Sequence, residues 1–571
     1  LLATVAVLGI VAAACGGGGG NSSSTPNGGE TTTGGGSSPT SEFQSGGTLK
    51  IASPADIAGG WDPAKEYEAL AFEFYRCCLT RTLMSFNGTA GTEGNVPHPD
   101  LAVADATVSS DNLTWTFKIK PGIHYAAPFA DKEIVAADFI TALERLSSDE
   151  GSAGGYPFYF SVIKGFDAAN GKPGKITGLS APDDHTLQVQ LTQPTGDLAF
   201  RFTLPATAPV PAEAAKGHIK DYGRFLVSSG PYMFEGADQL DFSKAPADQK
   251  PVSGYQPNRA WILVRNDSWD KSTDDLRLAF ADRIEVQIGG DPNDLANKVD
   301  AGEIDFDIGD VPPPQQIQKY QADPNLKDQI HTNISDAIRY ISMNLALPPF
   351  DDIHVRKAVN FVVDKDGLRR ARGGPLFGEL ATHLILDDLE GNALKDYDPY
   401  PSPNGQGDVA AAKAEMKQSK YDTNQDGVCD APECKGFLMV TDQAPPYPDQ
   451  NAILEDNLAK IGMTPDVRSG DRYTFMYAKC ADPAAKVAFC PSPGWGKDYA
   501  DASTFGEPLF SSAAIGSSNY ALLGASSSLL SKAGYTVTNV PSRDDEIKAC
   551  GAKTGDQRVS CWADLDKDMM E

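Results

Sequence analysis

The sequence is poor in the features that would mark an enzyme, a nucleic-acid binder or a membrane-spanning protein. Its seven histidines are scattered at 98, 124, 185, 218, 331, 354 and 383, and none pairs with another at the i, i+4 spacing that sets two metal ligands on one helical face. His-Glu-x-x-His, Gly-x-Ser-x-Gly and a Gly-rich phosphate loop opening a helix are all missing. No enzyme is therefore indicated, although a hydrolase built on paired carboxylates leaves no trace in spacing. Basic residues are in deficit, 49 Lys and Arg against 77 Asp and Glu, for a net charge of −28. A field of that sign repels phosphate backbones and argues against nucleic acid as a partner. No apolar run reaches the ~20 residues of a membrane span.

What the sequence does hold begins with an apolar stretch, Leu1–Val11, of the length of a signal-peptide core. It ends in Ala12-Ala13-Ala14-Cys15, which resembles a bacterial lipoprotein signal with Cys15 as the lipidated residue, although Ala12 stands where that pattern usually has Leu. An ordinary cleaved signal with an incidental Cys is the alternative. With no starting Met or basic flank, the sequence reads as beginning inside that signal. Residues 16–45 are almost wholly Gly, Ser, Thr, Asn and Pro, a composition that cannot bury enough surface to order itself and so reads as a tether. A lipid, a tether and a globular body predict a protein held at the outer face of a cell membrane. The other eight cysteines fit export: Cys429/Cys434, Cys480/Cys490 and Cys550/Cys561 form three sequence-local disulfide candidates. Adjacent Cys77 and Cys78 could equally be buried thiols.

The body, 46–571, exceeds the ~250–300 residues at which single cores stop growing, so several lobes are expected. Trp115, Phe117 and Ile119 alternate with polar residues, as do Leu187, Val189 and Leu191, and Ile284, Val286 and Ile288, predicting half-buried strands. Phe139, Leu143 and Leu146 have helical spacing, as do Leu454, Leu458 and Ile461 before a stop at Gly462. Strands and helices mix throughout, which predicts an α/β or mixed α+β architecture.

Seven segments then occur in one order: Gly46-Gly47-Thr48-Leu49-Lys50-Ile51, Pro99-Asp100-Leu101-Ala102, the stretch from Asp111 to Gly122, Ala137-Asp138-Phe139, Ser229-Gly230-Pro231-Tyr232, Pro349-Phe350-Asp351-Asp352 with Val355-Arg356-Lys357-Ala358-Val359-Asn360, and Gly494-Trp495-Gly496-Lys497-Asp498-Tyr499. On these the body resembles the extracytoplasmic solute-binding proteins of peptide and nickel ABC transporters. The resemblance implies a three-lobed periplasmic-binding-protein-like fold with a hinged interlobe cleft: lobe I from 46–85, 180–290 and 530–571, lobe II from 86–179, lobe III from 291–529. It also implies a further segment beyond Glu571.

The resemblance further implies a receptor that captures a small polar ligand, a short peptide first, and delivers it to a membrane permease, acting as a monomer. Receptors for an oligosaccharide or nickel, and a surface peptide sensor or chaperone-like protein, are alternatives on the same fold. Asp498 is then expected to pair with a ligand's α-ammonium, which on burial needs an opposite charge, with Trp495 and Tyr499 as flat walls. Independently, Asp422, Asn424, Asp426, Val428, Asp430 and Glu433 occupy positions one, three, five, seven, nine and twelve of a calcium-loop pattern, with Gly427 at six. Pro432 and Lys435-Gly436 depart from an EF-hand. The loop is either a structural calcium site or an acidic turn stapled by Cys429/Cys434 without metal. No other cofactor is expected.

Overall fold

The structure is a computed structural model that describes residues 44–571 apart from 54, 58, 90, 149, 151–155, 309–311 and 331–335. The readings on the signal, Cys15 and, apart from residues 44–45, the tether lie outside the described residues. Among the described residues no helix is long and apolar enough to cross a membrane.

The first layer is a six-stranded sheet in the order Phe306–Asp307, Thr48–Ser53, Arg283–Ile288, Ala260–Arg265, Tyr232–Phe234, with Tyr255–Gln256 also pairing to Ala260–Arg265. Its central strands are built from the alternation seen in the sequence: Ile284 and Val286 are buried while Glu285 and Gln287 face outward. The second sheet is antiparallel throughout, Thr107–Val108, Thr114–Lys118, Thr186–Gln190, Leu179–Asp183. Trp115 pairs with Val189 and Phe117 with Leu187, so both predicted strands turn their apolar faces the same way, under the helix Ala136–Leu146 with Phe139, Leu143 and Leu146 buried. One continuous apolar core joins the two sheets, from Ile51 through Phe117 and Leu143 to Val286.

A third body has its own cores. Its sheet runs Ser342–Met343, Phe489–Cys490, Lys435–Asp442, Thr464–Gly470, the last two strands parallel. The helix Tyr447–Ala459 connects those two, burying Leu454 and Leu458. Gly462, at φ +79°, turns the chain into the next strand.

The mixed α/β architecture is as expected, but three lobe boundaries differ. Leu179–Asp183 and Thr186–Gln190 complete the second sheet, so lobe II extends past 179. Phe306–Asp307 pairs with Thr48–Ser53, and Leu295 and Ile304 pack on Ala52, so the opening of the expected lobe III belongs to lobe I. Residues 530–571 join lobe III instead of lobe I. Ile547, Trp562 and Leu565 bury themselves against Ile385, Leu389 and Phe505, and Leu530 packs on Ala346 and Leu522.

Lobes I and III meet through buried ion pairs: Arg201 binds Asp197 and Glu507, and Arg558 binds Asp501 at 2.7 Å and lies 3.4 Å from Asp197. The sulfurs of Cys429 and Cys434, Cys480 and Cys490, and Cys550 and Cys561 lie at bonding distance, as do those of Cys77 and Cys78.

Candidate functional site

Asp498 lies where all three lobes converge. It follows the short strand Gly494–Gly496, which pairs antiparallel with Ala337–Arg339. One carboxylate oxygen, Oδ2, accepts hydrogen bonds from the hydroxyls of Tyr67, from lobe I at 2.6 Å, and of Tyr159, from lobe II. The side chain is buried, and burial pushes its carboxyl up to about 6, against the opposing pull of the Tyr159 and Tyr67 hydrogen bonds and the nearby Arg76 charge. Burial, with Asp498 beside it, in turn holds the Tyr159 hydroxyl well above its usual range.

The two aromatics of the same segment are not brought to one wall. Tyr499 sits in the core shared by lobes I and II, its ring 5.2 Å from Tyr159 and its hydroxyl donating to Asp197 at 2.8 Å. Trp495 packs in a different cluster with Ile338, Phe505 and Trp562, and its indole N–H donates to the Thr504 carbonyl at 2.6 Å. Tyr499 thus supports Asp498 through Tyr159, while Trp495 anchors the strand.

Sequence reasoning missed a cationic group on the partner strand. Arg339 faces Gly494 in register, and a Cβ at 494 would meet its Nη1 at 2.5 Å, so the glycine makes room for the guanidinium. Arg472 lies 4.6 Å over the Tyr447 ring and pairs with Asp442 at 2.6 Å, and Arg372 donates to the Tyr447 hydroxyl at 3.4 Å. Burial, together with Arg372 and Arg472, holds the Arg339 guanidinium below its usual range. Burial alone would raise Tyr447, yet Arg339 and Arg472 more than offset it and its hydroxyl is lowered. Nη1 of Arg339 and Nη1 of Arg472 are buried without a hydrogen-bond partner. Of the three arginines around Tyr447, only Arg472 has an ion-paired carboxylate among the described residues, Asp442, so the cluster is short of negative charge. These residues are spread over 339–472, so no local motif announces them.

The acidic loop at 422–433 is ordered by its own backbone. Asp422, 2% exposed, accepts from the amides of Asp426 and Gly427, Asn424 accepts from the Asp426 amide, and Asp426 accepts from the Val428 amide. Asp430 accepts from Thr423. No three of Asp422, Asp426, Asp430 and Glu433 bring ligand atoms within 4.8 Å of one another; among the described residues that convergence occurs at His383, Glu390 and Asp566.

Comparisons with known proteins bear on the family and the fold. The glutathione-binding protein GsiB of Salmonella paratyphi A is 25% identical over 338 residues, 59% of this chain and 56% of the relative. The periplasmic oligopeptide-binding protein OppA of Escherichia coli is 26% identical over 275 residues, 47% of this chain and 45% of the relative. The chain spans about half the length of these curated relatives. Among solved structures, clavulanic acid biosynthesis oligopeptide binding protein 2 superposes with a TM-score of 0.76 at 27% identity, covering 92% of this chain and 88% of that one. The periplasmic binding protein DppA from Helicobacter pylori, in complex with the peptide STSA, shares the fold with a TM-score of 0.65 at 18% identity, covering 93% and 92%. Residues 96–517 match the family described as bacterial extracellular solute-binding proteins, family 5 Middle, and the chain belongs to that family.

Proposed function

We propose that this protein is the substrate-binding component of an ABC importer and captures a short peptide with both termini free. It acts outside the cell membrane, held there by a lipid on Cys15, and hands its ligand to a membrane permease. No catalytic step is assigned. The observation that carries the reading is a pair of opposite charges near one strand pair: the buried Asp498 carboxylate just after Gly494–Gly496 and, across from Gly494, the underbonded Arg339 with Arg372 and Arg472. Asp498 takes the ligand's ammonium, which replaces a tyrosine hydroxyl as donor, and the arginines take its carboxylate.

Three residues lie between Gly494 and Asp498, a backbone reach of at most about 14 Å, which is the scale of a peptide a few residues long. The relatives named for glutathione and oligopeptides, and the neighbour solved with a tetrapeptide, support this class. Entry requires the lobes to part, since Tyr67 and Tyr159 cover the carboxylate, and reclosure traps the ligand.

Calorimetry with the whole chain tests this directly. Di- to tetrapeptides and glutathione bind, whereas the N-acetylated and C-amidated forms of the same peptide each lose affinity at least tenfold. Equal affinity for capped and free peptides, or binding only of an oligosaccharide or nickel, would sink the assignment.

The same reading keeps a structural calcium at 422–433, for which Asp430 would have to leave Thr423. Calcium then raises the melting temperature of the wild type and not of Glu433→Ala; an identical response of both discards the calcium.

A further inference from the structure

A second polar cluster, separate from the ligand site, joins the short turn Asp387–Glu390 and the residues before it to the helix Gly555–Met570. His383, Glu390 and Asp566 each bring a ligand atom to within 4.8 Å of the others, and all three are buried. Asp566 lies 2.9 Å from His383 Nδ1 and accepts from the amides of Leu384 at 3.1 Å and Ile385 at 2.8 Å. Those amides, with the apolar packing of Ile385, Leu389 and Leu565, fix the carboxylate in place.

Glu390 is the anomaly. It is 0% exposed, one oxygen lies 4.0 Å from His383 Nδ1, and neither oxygen has a hydrogen-bond partner. Among the described residues no Lys or Arg nitrogen comes within 4.0 Å of Glu390 or Asp566. Enclosing the unpartnered Glu390 carboxylate beside Asp566, with no Lys or Arg nitrogen at hand, is strongly unfavourable, whereas a bound cation reverses the sign.

We propose that His383 Nδ1, Glu390 and Asp566 form a binding site for a zinc-class divalent cation, which fastens the 383–390 segment to the helix Gly555–Met570. One imidazole with two carboxylates is a donor set that such ions accept. Metal–ligand bonds of ~2.0–2.2 Å put tetrahedral ligand atoms roughly 3.3 Å apart. The separations of 2.9 Å and 4.0 Å bracket that value, so small side-chain shifts suffice.

The other ring nitrogen completes the pattern. His383 Nε2 lies 3.3 Å from the unpartnered Asp387 Oδ1, which after a small rotation can take the second N–H of a metal-bound imidazole and fix its orientation. The Asp387 side chain is itself 43% exposed.

The cation would act on the ligand cleft through one short chain of contacts. Asp388, inside the fastened segment, accepts from Asn95 of lobe II at 2.7 Å, and Asn95 accepts from Lys497 at 2.5 Å, beside Asp498. This inference does not depend on the peptide reading, because zinc binding is measured on the protein without peptide.

The test uses the full chain, stripped with EDTA and dialysed, titrated with Zn2+ against a chromophoric chelator, with bound metal counted by mass spectrometry. The wild type holds one zinc that Glu390→Gln weakens at least tenfold, while Glu433→Ala, in the acidic loop, retains it. Asp387→Asn, at a half-exposed side chain that tolerates substitution, weakens zinc about tenfold by releasing the ring. Cobalt substituted at the site gives a visible band that Glu390→Gln abolishes. Equal zinc affinity in the wild type, Glu390→Gln and Asp387→Asn overturns the proposal. So does a folded wild type that holds no zinc while Glu390→Gln melts at a higher temperature, the behaviour of a buried neutral acid.

Discussion

Replacing Asp498 by Asn separates the charge of the site from its shape. Both tyrosine hydroxyls donate to one oxygen, Oδ2, and an amide carbonyl can accept both. What the substitution removes is the ionisation, whose cost follows from the shift of the carboxyl from 3.8 to about 6. At about 1.4 kcal/mol per pH unit, that rise is ~3 kcal/mol of stability that depends on pH. Because burial raises this acid, the folded protein holds the proton more tightly than the unfolded chain. The stabilisation is therefore complete below 3.8 and is lost as pH climbs through 6.

Urea unfolding of ligand-free protein from pH 4 to pH 8 reads this difference. Asp498→Asn should match the wild type near pH 4 and exceed it by up to about 3 kcal/mol at pH 8. Peptide binding should show the opposite preference. The wild type gains affinity for a free-amine tripeptide as pH rises through 6, and Asp498→Asn stays weak at every pH. A stability difference that is flat from pH 4 to pH 8 refutes the burial argument. A variant that binds the peptide as tightly as the wild type at pH 8 refutes the ammonium assignment.

Arg339→Met should lower affinity for a free-carboxylate tripeptide roughly 10- to 100-fold, the worth of one charge-assisted hydrogen bond, and leave the amidated peptide unaffected in calorimetry. Arg558→Met strips the buried Asp501 of its partner and leaves the Gly551 carbonyl without its 2.7 Å donor, and should cost about 3–5 kcal/mol in a denaturant melt. An effect below 1 kcal/mol there would mean that the junction of lobes I and III is wetter than its geometry implies. Gly230→Ala would drive a Cβ to 2.4 Å from the Cys78 carbonyl oxygen, a backbone atom that cannot swing away, and should cost about 1–3 kcal/mol, seen as a lower melting temperature.

The sequence by itself determined the elements whose signal is local. Period-two alternation at 115–119 and 187–191 is the physics of a sheet with one dry face, and the helix over 139–146 follows from a 3.6-residue stripe. Seven ordered segments were enough to name the family, and one of them carried Asp498. Tertiary structure alone decided what depends on distant residues meeting. Tyr67 and Tyr159 reach Asp498 from 431 and 339 residues away, and no spacing rule links them. The arginines around Tyr447 and the His383–Glu390–Asp566 cluster are likewise assembled by strand register and helix packing. Lobe boundaries moved for the same reason. Where a strand or helix belongs is set by which buried face it completes, as Trp562 and Leu565 do against Phe505, and not by where it stands in the chain.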